Sequence, residues 1–192
     1  MDIKDLSLRK LDSFSKADLK IVVSKHLCGV ATDFALNSIL NTLIPEQETN
    51  PGKKNSPGTI IVMIALCCHH LCSFNSFNKG YLAELGVDKE DFKAISKMSS
   101  WATCKFRKQE PSVEKHHSSE RNIEKEDFSR NLDPATKENL GYCCKDFINY
   151  GRVTLLKRFG FTVTLHKYAD EKFTLENKLL FAIRKSTKVE EI

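Results

Sequence analysis

Eight consecutive residues, Thr59-Ile60-Ile61-Val62-Met63-Ile64-Ala65-Leu66, form the most hydrophobic stretch of the chain and carry no charge. A run of this kind, bounded by polar segments and rich in β-branched residues, predicts a strand buried on both faces of a parallel sheet. It passes directly into Cys67-Cys68-His69-His70-Leu71-Cys72. A shorter run of the same character, Lys20-Ile21-Val22-Val23-Ser24, ends in Lys25-His26-Leu27-Cys28-Gly29. Between the two, Thr32-Asp33 supplies a helix start, and Phe34, Leu36, Ile39, Leu40 and Leu43 follow at helical spacing until Pro45. A polar loop rich in breakers then runs from Glu46 to Pro57. Strand, helix and strand in this order predict a right-handed crossover and parallel neighbours.

The remainder reads as helices followed by a hairpin. Tyr81 to Leu85 closes at Gly86, and Asp88 caps a helix carrying Phe92, Ile95 and Met98. From Lys105 to Arg130 the pattern is weak, with mixed charge and the pair His116-His117, which predicts a mobile loop. Asp133-Pro134 is a cap with proline at the first helical position, opening a long helix that continues to Gly160. Residues 161–166 and 178–183 are two strands with no helix between them, so they pair antiparallel.

Length and composition set bounds on these elements. A chain of 192 residues with 41% hydrophobic content buries one sizeable core, so a single domain is expected. Thirty Lys and Arg against 25 Asp and Glu leave a formal charge of +5, compatible with a phosphate-bearing partner but weak as a signal. Seven cysteines, with no secretory segment and no apolar run of about 20 residues, read as free thiols in an intracellular protein of nucleus or cytoplasm that does not enter a membrane.

Ligands of open parallel sheets bind beyond the carboxyl ends of the strands. Both polar clusters fall there, although alternation along an extended segment lets only about half of those side chains face one crevice. Lys25 is a candidate to hold an oxygen electrostatically, and His26, His69 or His70 a candidate base near neutral pH. Packing, hydrogen bonding or phosphate contact is the alternative role for each. The cysteines do not read as a metal site, because Cys67 and Cys68 are adjacent and Cys72 stands alone, without repeated chelating pairs. Asp33 caps its helix or serves the substrate side, and Arg152 is a candidate phosphate contact. Lys157-Arg158 fits a solvated helix face, and the aromatic segment from Tyr81 and Phe92 to Trp101 fits local packing.

Together these motifs carry a family likeness. The run from Lys25 to Asp33, then Ile64-Ala65-Leu66-Cys67-Cys68-His69-His70-Leu71-Cys72, then Met98-Ser99-Ser100-Trp101-Ala102, resembles the eukaryotic tRNA:m(4)X modification enzymes, tRNA acceptor-stem 2′-O-methyltransferases. Tyr150-Gly151-Arg152, Gly160-Phe161, Tyr168-Ala169-Asp170 and residues 175–180 are similar to that family's closing helix and hairpin. The resemblance implies an α/β fold, an incomplete Rossmann-like class I methyltransferase sheet whose parallel strands end in an antiparallel hairpin, with a helical insertion at about 73–133.

It also implies S-adenosylmethionine as methyl donor and the ribose at position four of certain tRNAs as acceptor. Asp2 would then contact the donor's adenine amino group, with Ile3 packing on the ring and Cys28 on the same cofactor side. Members of the family look longer at the front, with small zinc modules and a glycine-rich cofactor turn, so the chain is expected to be the rear portion of a methyltransferase domain. Zinc is expected only in those front modules. A non-catalytic RNA-binding or interaction fragment is the competing expectation.

Overall fold

The computed structural model describes residues 2–44, 58–103 and 131–186. The loops expected at 46–57 and 105–130 lie outside these residues. Four strands form one sheet in the order β1-β2-β4-β3, with β1 at Leu19–Ser24, β2 at Thr59–Leu66, β3 at Thr162–Lys167 and β4 at Lys178–Arg184. β1 and β2 run parallel, with Lys20 opposite Ile60 and Val22 opposite Val62. β4 pairs antiparallel with both β2 and β3, so the last strand is inserted between them. The parallel pair and the closing antiparallel hairpin are therefore both present.

Helix positions follow from local chemistry. α1 (Asp12–Lys16) precedes β1, and α2 (Val30–Asn41) returns the chain from the tip of β1. α3 (Lys79–Glu84) is capped by Asn78, whose side chain accepts the Tyr81 N–H. α4 (Lys89–Ser99) starts in a reciprocal capping box between Asp88 and Asp91. α5 (Pro134–Arg158) starts on Asp133, which accepts the N–H groups of Ala135 and Thr136, with proline at a position that needs no donor. No helix among the described residues is long and apolar enough to cross a membrane.

The main core lies on one face of the sheet. Ile60, Val62 and Ile64 of β2, with Leu180 and Ala182 of β4, pack against Leu36, Ile39 and Leu40 of α2 and Val153 and Leu156 of α5. A second cluster, Phe77, Leu82, Phe92 and Ile148, joins α3 and α4 to α5, so the described part of the helical insertion has its own small core.

β1 departs from the expectation of burial on both faces. Its Leu19, Ile21 and Val23 are 53%, 54% and 68% exposed, whereas Lys20 on the inner face is buried. The cause is position: among the described residues β1 is an edge strand, and α2 and α5 pack on the inner face.

Candidate active site at the strand tips

Parallel pairing places the carboxyl ends of β1 and β2 side by side, and the two tips meet. The Gly29 N–H donates to the Cys67 carbonyl at 3.4 Å, and the Cys28 and Cys67 Sγ atoms are 3.6 Å apart. The sulfurs of Cys28, Cys67 and Cys68 all lie within 4.8 Å of one another. Two non-glycine residues at these tips, His26 at φ 66° and Cys68 at φ 50°, adopt left-handed backbone, which is uncommon and concentrates at functional sites. Gly29 also has positive φ, and a Cβ there would stand 2.5 Å from Leu71 Cβ, so the two loops interlock at a position that only glycine fills.

Beneath the tips lies a layer of buried polar side chains. Arg152, from the middle of α5, donates from Nε to Asp33 Oδ1 at 2.8 Å and from Nη2 to the Gly29 carbonyl at 3.0 Å, with Cys72 Sγ at 3.1 Å from the same Nη2. One guanidinium thus holds both strand tips. Asp33 is not a cap: α2 begins at Val30 after Gly29, earlier than the Thr32-Asp33 start expected from sequence, and this turns Asp33 inward to the arginine. Burial pushes the Asp33 carboxyl above the usual carboxylate range even though Arg152 pulls it down.

His69 is buried beside this pair. Its Nε2 is 2.7 Å from Asn149 Oδ1, and its Nδ1 is 3.8 Å from Glu176 Oε2. Burial, with Arg152 adding repulsion, pushes His69 down to about 3, so the ring is neutral across the physiological range. Glu176 accepts the Cys68 N–H at 3.2 Å and the Lys145 ammonium at 2.8 Å. Lys145, Asn149 and Glu176 were not singled out from sequence. The available signal was a polar stripe: Lys145, Asn149 and Arg152 recur at i, i+4 and i+7 on one face of a helix otherwise apolar inward.

The expected site residues separate into two tiers. Lys25, His26 and His70 are exposed at the tips, with Cys28 half-buried between them. His69, Asp33 and Arg152 are buried below, where they position the loops and do not reach solvent. Asp2 caps a short turn (Ile3–Asp5) through the Lys4 N–H, and Ile3 is its first residue. The chain just after it is tied to α2 by the Ser38 hydroxyl, which donates to the Leu6 carbonyl.

The three clustered thiols have the spacing of ligands to one thiophilic ion. Burial, followed by the neighbouring Cys28, pushes the Cys67 thiol up to about 12, and burial does the same to Cys72. Without a cation Cys67 and Cys72 are neutral thiols.

The architecture defines an α/β protein with a polar centre at the carboxyl ends of a parallel strand pair, built on a closing antiparallel hairpin. Comparison with known families identifies which one: the family model described as Methyltransferase TRM13 matches residues 1–183, and the chain belongs to that family. It is 35% identical over 188 residues to the tRNA:m(4)X modification enzyme TRM13 of Scheffersomyces stipitis, covering 94% of this chain and 41% of that protein. It is 32% identical over 191 residues to the Schizosaccharomyces pombe enzyme of the same name, covering 96% and 45%. The human TRM13 homolog is 29% identical over 231 residues, covering 95% of this chain and 48% of the relative. The chain thus spans less than half the length of these relatives. No solved structure matches.

Proposed function

We propose that this chain is the rear, substrate-side portion of a class I, Rossmann-like tRNA methyltransferase that transfers a methyl group from S-adenosylmethionine to the ribose 2′-oxygen of the nucleoside at position four of the acceptor stem. The observation supporting this reading is the meeting of the β1 and β2 tips at Cys28, Gly29 and Cys67, adjacent in sequence to Lys25-His26 and to His69-His70, in a chain of the TRM13 family. Insertion of β4 between β2 and β3 supports the fold assignment, because such a hairpin closes a class I sheet.

Methyl transfer to a hydroxyl needs the oxygen held in line and its proton accepted or stabilised. The exposed residues Lys25, His26 and His70 are the proposed proton-handling groups. His69, neutral and buried against Asn149, is assigned to the same centre as a positioning residue for the tip that carries His70. Asp33 and Arg152 act on the substrate through the loops they hold.

The positive-φ glycine at the β1 tip, Gly29, is closed over by Leu71 and offers no open backbone cradle. Asp2, Ile3 and Cys28 remain the cofactor-side proposals, with the glycine-rich turn and the zinc modules assigned to parts of the protein outside these residues.

A second reading is that the chain binds tRNA without donor chemistry. Calorimetry with S-adenosylmethionine beside a tRNA mobility-shift assay decides between them. With the chain joined to a preceding glycine-rich βαβ segment, binding of both ligands is expected of the methyltransferase reading, and labelled methyl from the donor should then be recovered as a 2′-O-methyl nucleoside at position four. Binding of tRNA with no donor affinity assigns the chain the non-catalytic role.

A further inference from the structure

A cleft of about 510 Å³ opens beside the tip of β2, between the loop that follows it and helix α4. Its apolar wall contains Phe74 and Phe92, whose rings meet edge to face at a centroid distance of 6.3 Å. Lys89, Lys93 and Lys97 line it beside Phe92, on the same face of α4. These lysines recur every four residues on α4, so they form a stripe with successive members about 6 Å apart along the axis. None of the three pairs with a carboxylate among the described residues, and the nearby Asp91 is occupied in capping the helix. A fourth ammonium, Lys79, sits 3.2 Å from the centre of the Phe74 ring.

The cleft is built onto the strand-tip centre. His70, which follows the buried His69, lines its mouth. The Ser96 hydroxyl, from the middle of α4, donates to the His69 carbonyl at 3.1 Å and lies 3.3 Å from the Cys72 carbonyl, fixing the lysine-bearing helix to the loop after β2. The half-buried Phe74 ring beside a row of ammonium groups unpaired among the described residues is complementary to a nucleotide, which has a flat π-face and an adjoining phosphate charge. An acidic peptide would match the lysines but leave the aromatic wall without a partner.

We propose that this cleft is a nucleotide-binding subsite for RNA, holding a residue that flanks the reacting one with its base against Phe74 and the adjoining phosphates along Lys89, Lys93 and Lys97. The proposal rests on the reading of tRNA as substrate and adds the surface that grips it.

The test measures tRNA affinity of the whole chain as a function of salt, for wild type, for the triple variant K89Q/K93Q/K97Q, for each single Lys→Gln change and for F74A. Each lost phosphate contact lowers the slope of log affinity against log salt by about 0.7 to 0.9, so the triple variant should lose about 2 to 3. F74A should weaken binding about tenfold with an unchanged slope, because stacking releases no counterions. A matched triple change at Lys10, Lys16 and Lys172, which do not line the cleft, should leave the slope as it is in wild type. If wild type binds tRNA and the cleft variants bind it with the same affinity and slope, the subsite is wrong while the substrate reading stands. If wild type does not bind tRNA at all, both fall. Displacement of tRNA by poly-glutamate at equal charge concentration would make the cleft a general acidic-ligand surface and overturn the nucleotide assignment.

Discussion

Arg152 and Asp33, 119 residues apart in sequence, form a buried ion pair at 2.8 Å whose guanidinium also holds the Gly29 carbonyl. Both charges have left water, so removing one leaves the other uncompensated. D33N and R152A are each expected to cost about 3–5 kcal/mol of unfolding free energy in a denaturant titration. The apolar double variant D33L/R152M should cost clearly less than the sum of the two single changes. Additive losses would mean that the pair is not coupled as the geometry requires.

His69 makes stability depend on pH. Its folded value, about 3, lies below the ordinary 6.5, so between these limits the unfolded chain binds a proton that the folded one refuses. Stability is therefore fully present above about pH 6.5 and declines as pH falls towards about 3, by about 1.4 kcal/mol per pH unit from this one group. The groups facing the ring are Glu176, Asn149, Arg152 and Lys145. Urea titrations from pH 7 to pH 4 should show this slope in wild type, reduced by about one proton in H69Q. Equal slopes in the two proteins would place His69 in contact with solvent.

Much of this arrangement was legible in the sequence because it depends on local periodicity and local caps. β2 falls on Thr59–Leu66 as its apolar run indicates, and Asp88, Asp133 and Pro134 mark the helix starts they occupy. The chemistry beneath the tips was not legible, since it depends on distant partners. Nothing local to Asp33 indicates that an arginine on α5 will claim it, and its cap-like setting after Thr32 points to another role. Cys28, by contrast, joins Cys67 and Cys68 because β1 and β2 align in parallel, a neighbourhood that the strand-helix-strand order indicates even though the sequence separation of Cys28 and Cys67 is 39. The insertion of β4 beside β2 was equally unreadable, because a hairpin reveals its own pairing but not which of its strands meets the rest of the sheet.

The thiols give a chemical readout of the same centre. Burial and the neighbouring Cys28 push Cys67 up to about 12, leaving it almost wholly protonated at neutral pH, while Cys143 is exposed on α5. Iodoacetamide at about pH 7.5 should therefore modify Cys143 well before Cys67 and Cys72, both half-buried. Peptide mass spectrometry over time resolves the order. Labelling of Cys67 as fast as Cys143 would place its sulfur outside the packed cluster.

The outward face of β1 sets how the chain behaves at high concentration. Leu19, Ile21 and Val23 project from an edge strand that pairs only with β2 among the described residues, so apolar side chains and unpaired backbone groups are presented together. Edges of this kind associate with one another unless a charge is placed on them. Sedimentation velocity over rising concentration should show wild type moving above the mass of one chain, while I21K and V23K remain closer to monomer. Because both positions are more than half exposed, either lysine should leave unfolding free energy within about 0.5 kcal/mol of wild type. A wild-type chain that stays monomeric throughout would show that its edge is shielded, and a stability loss of several kcal/mol in V23K would show that the side chain is packed against a neighbour.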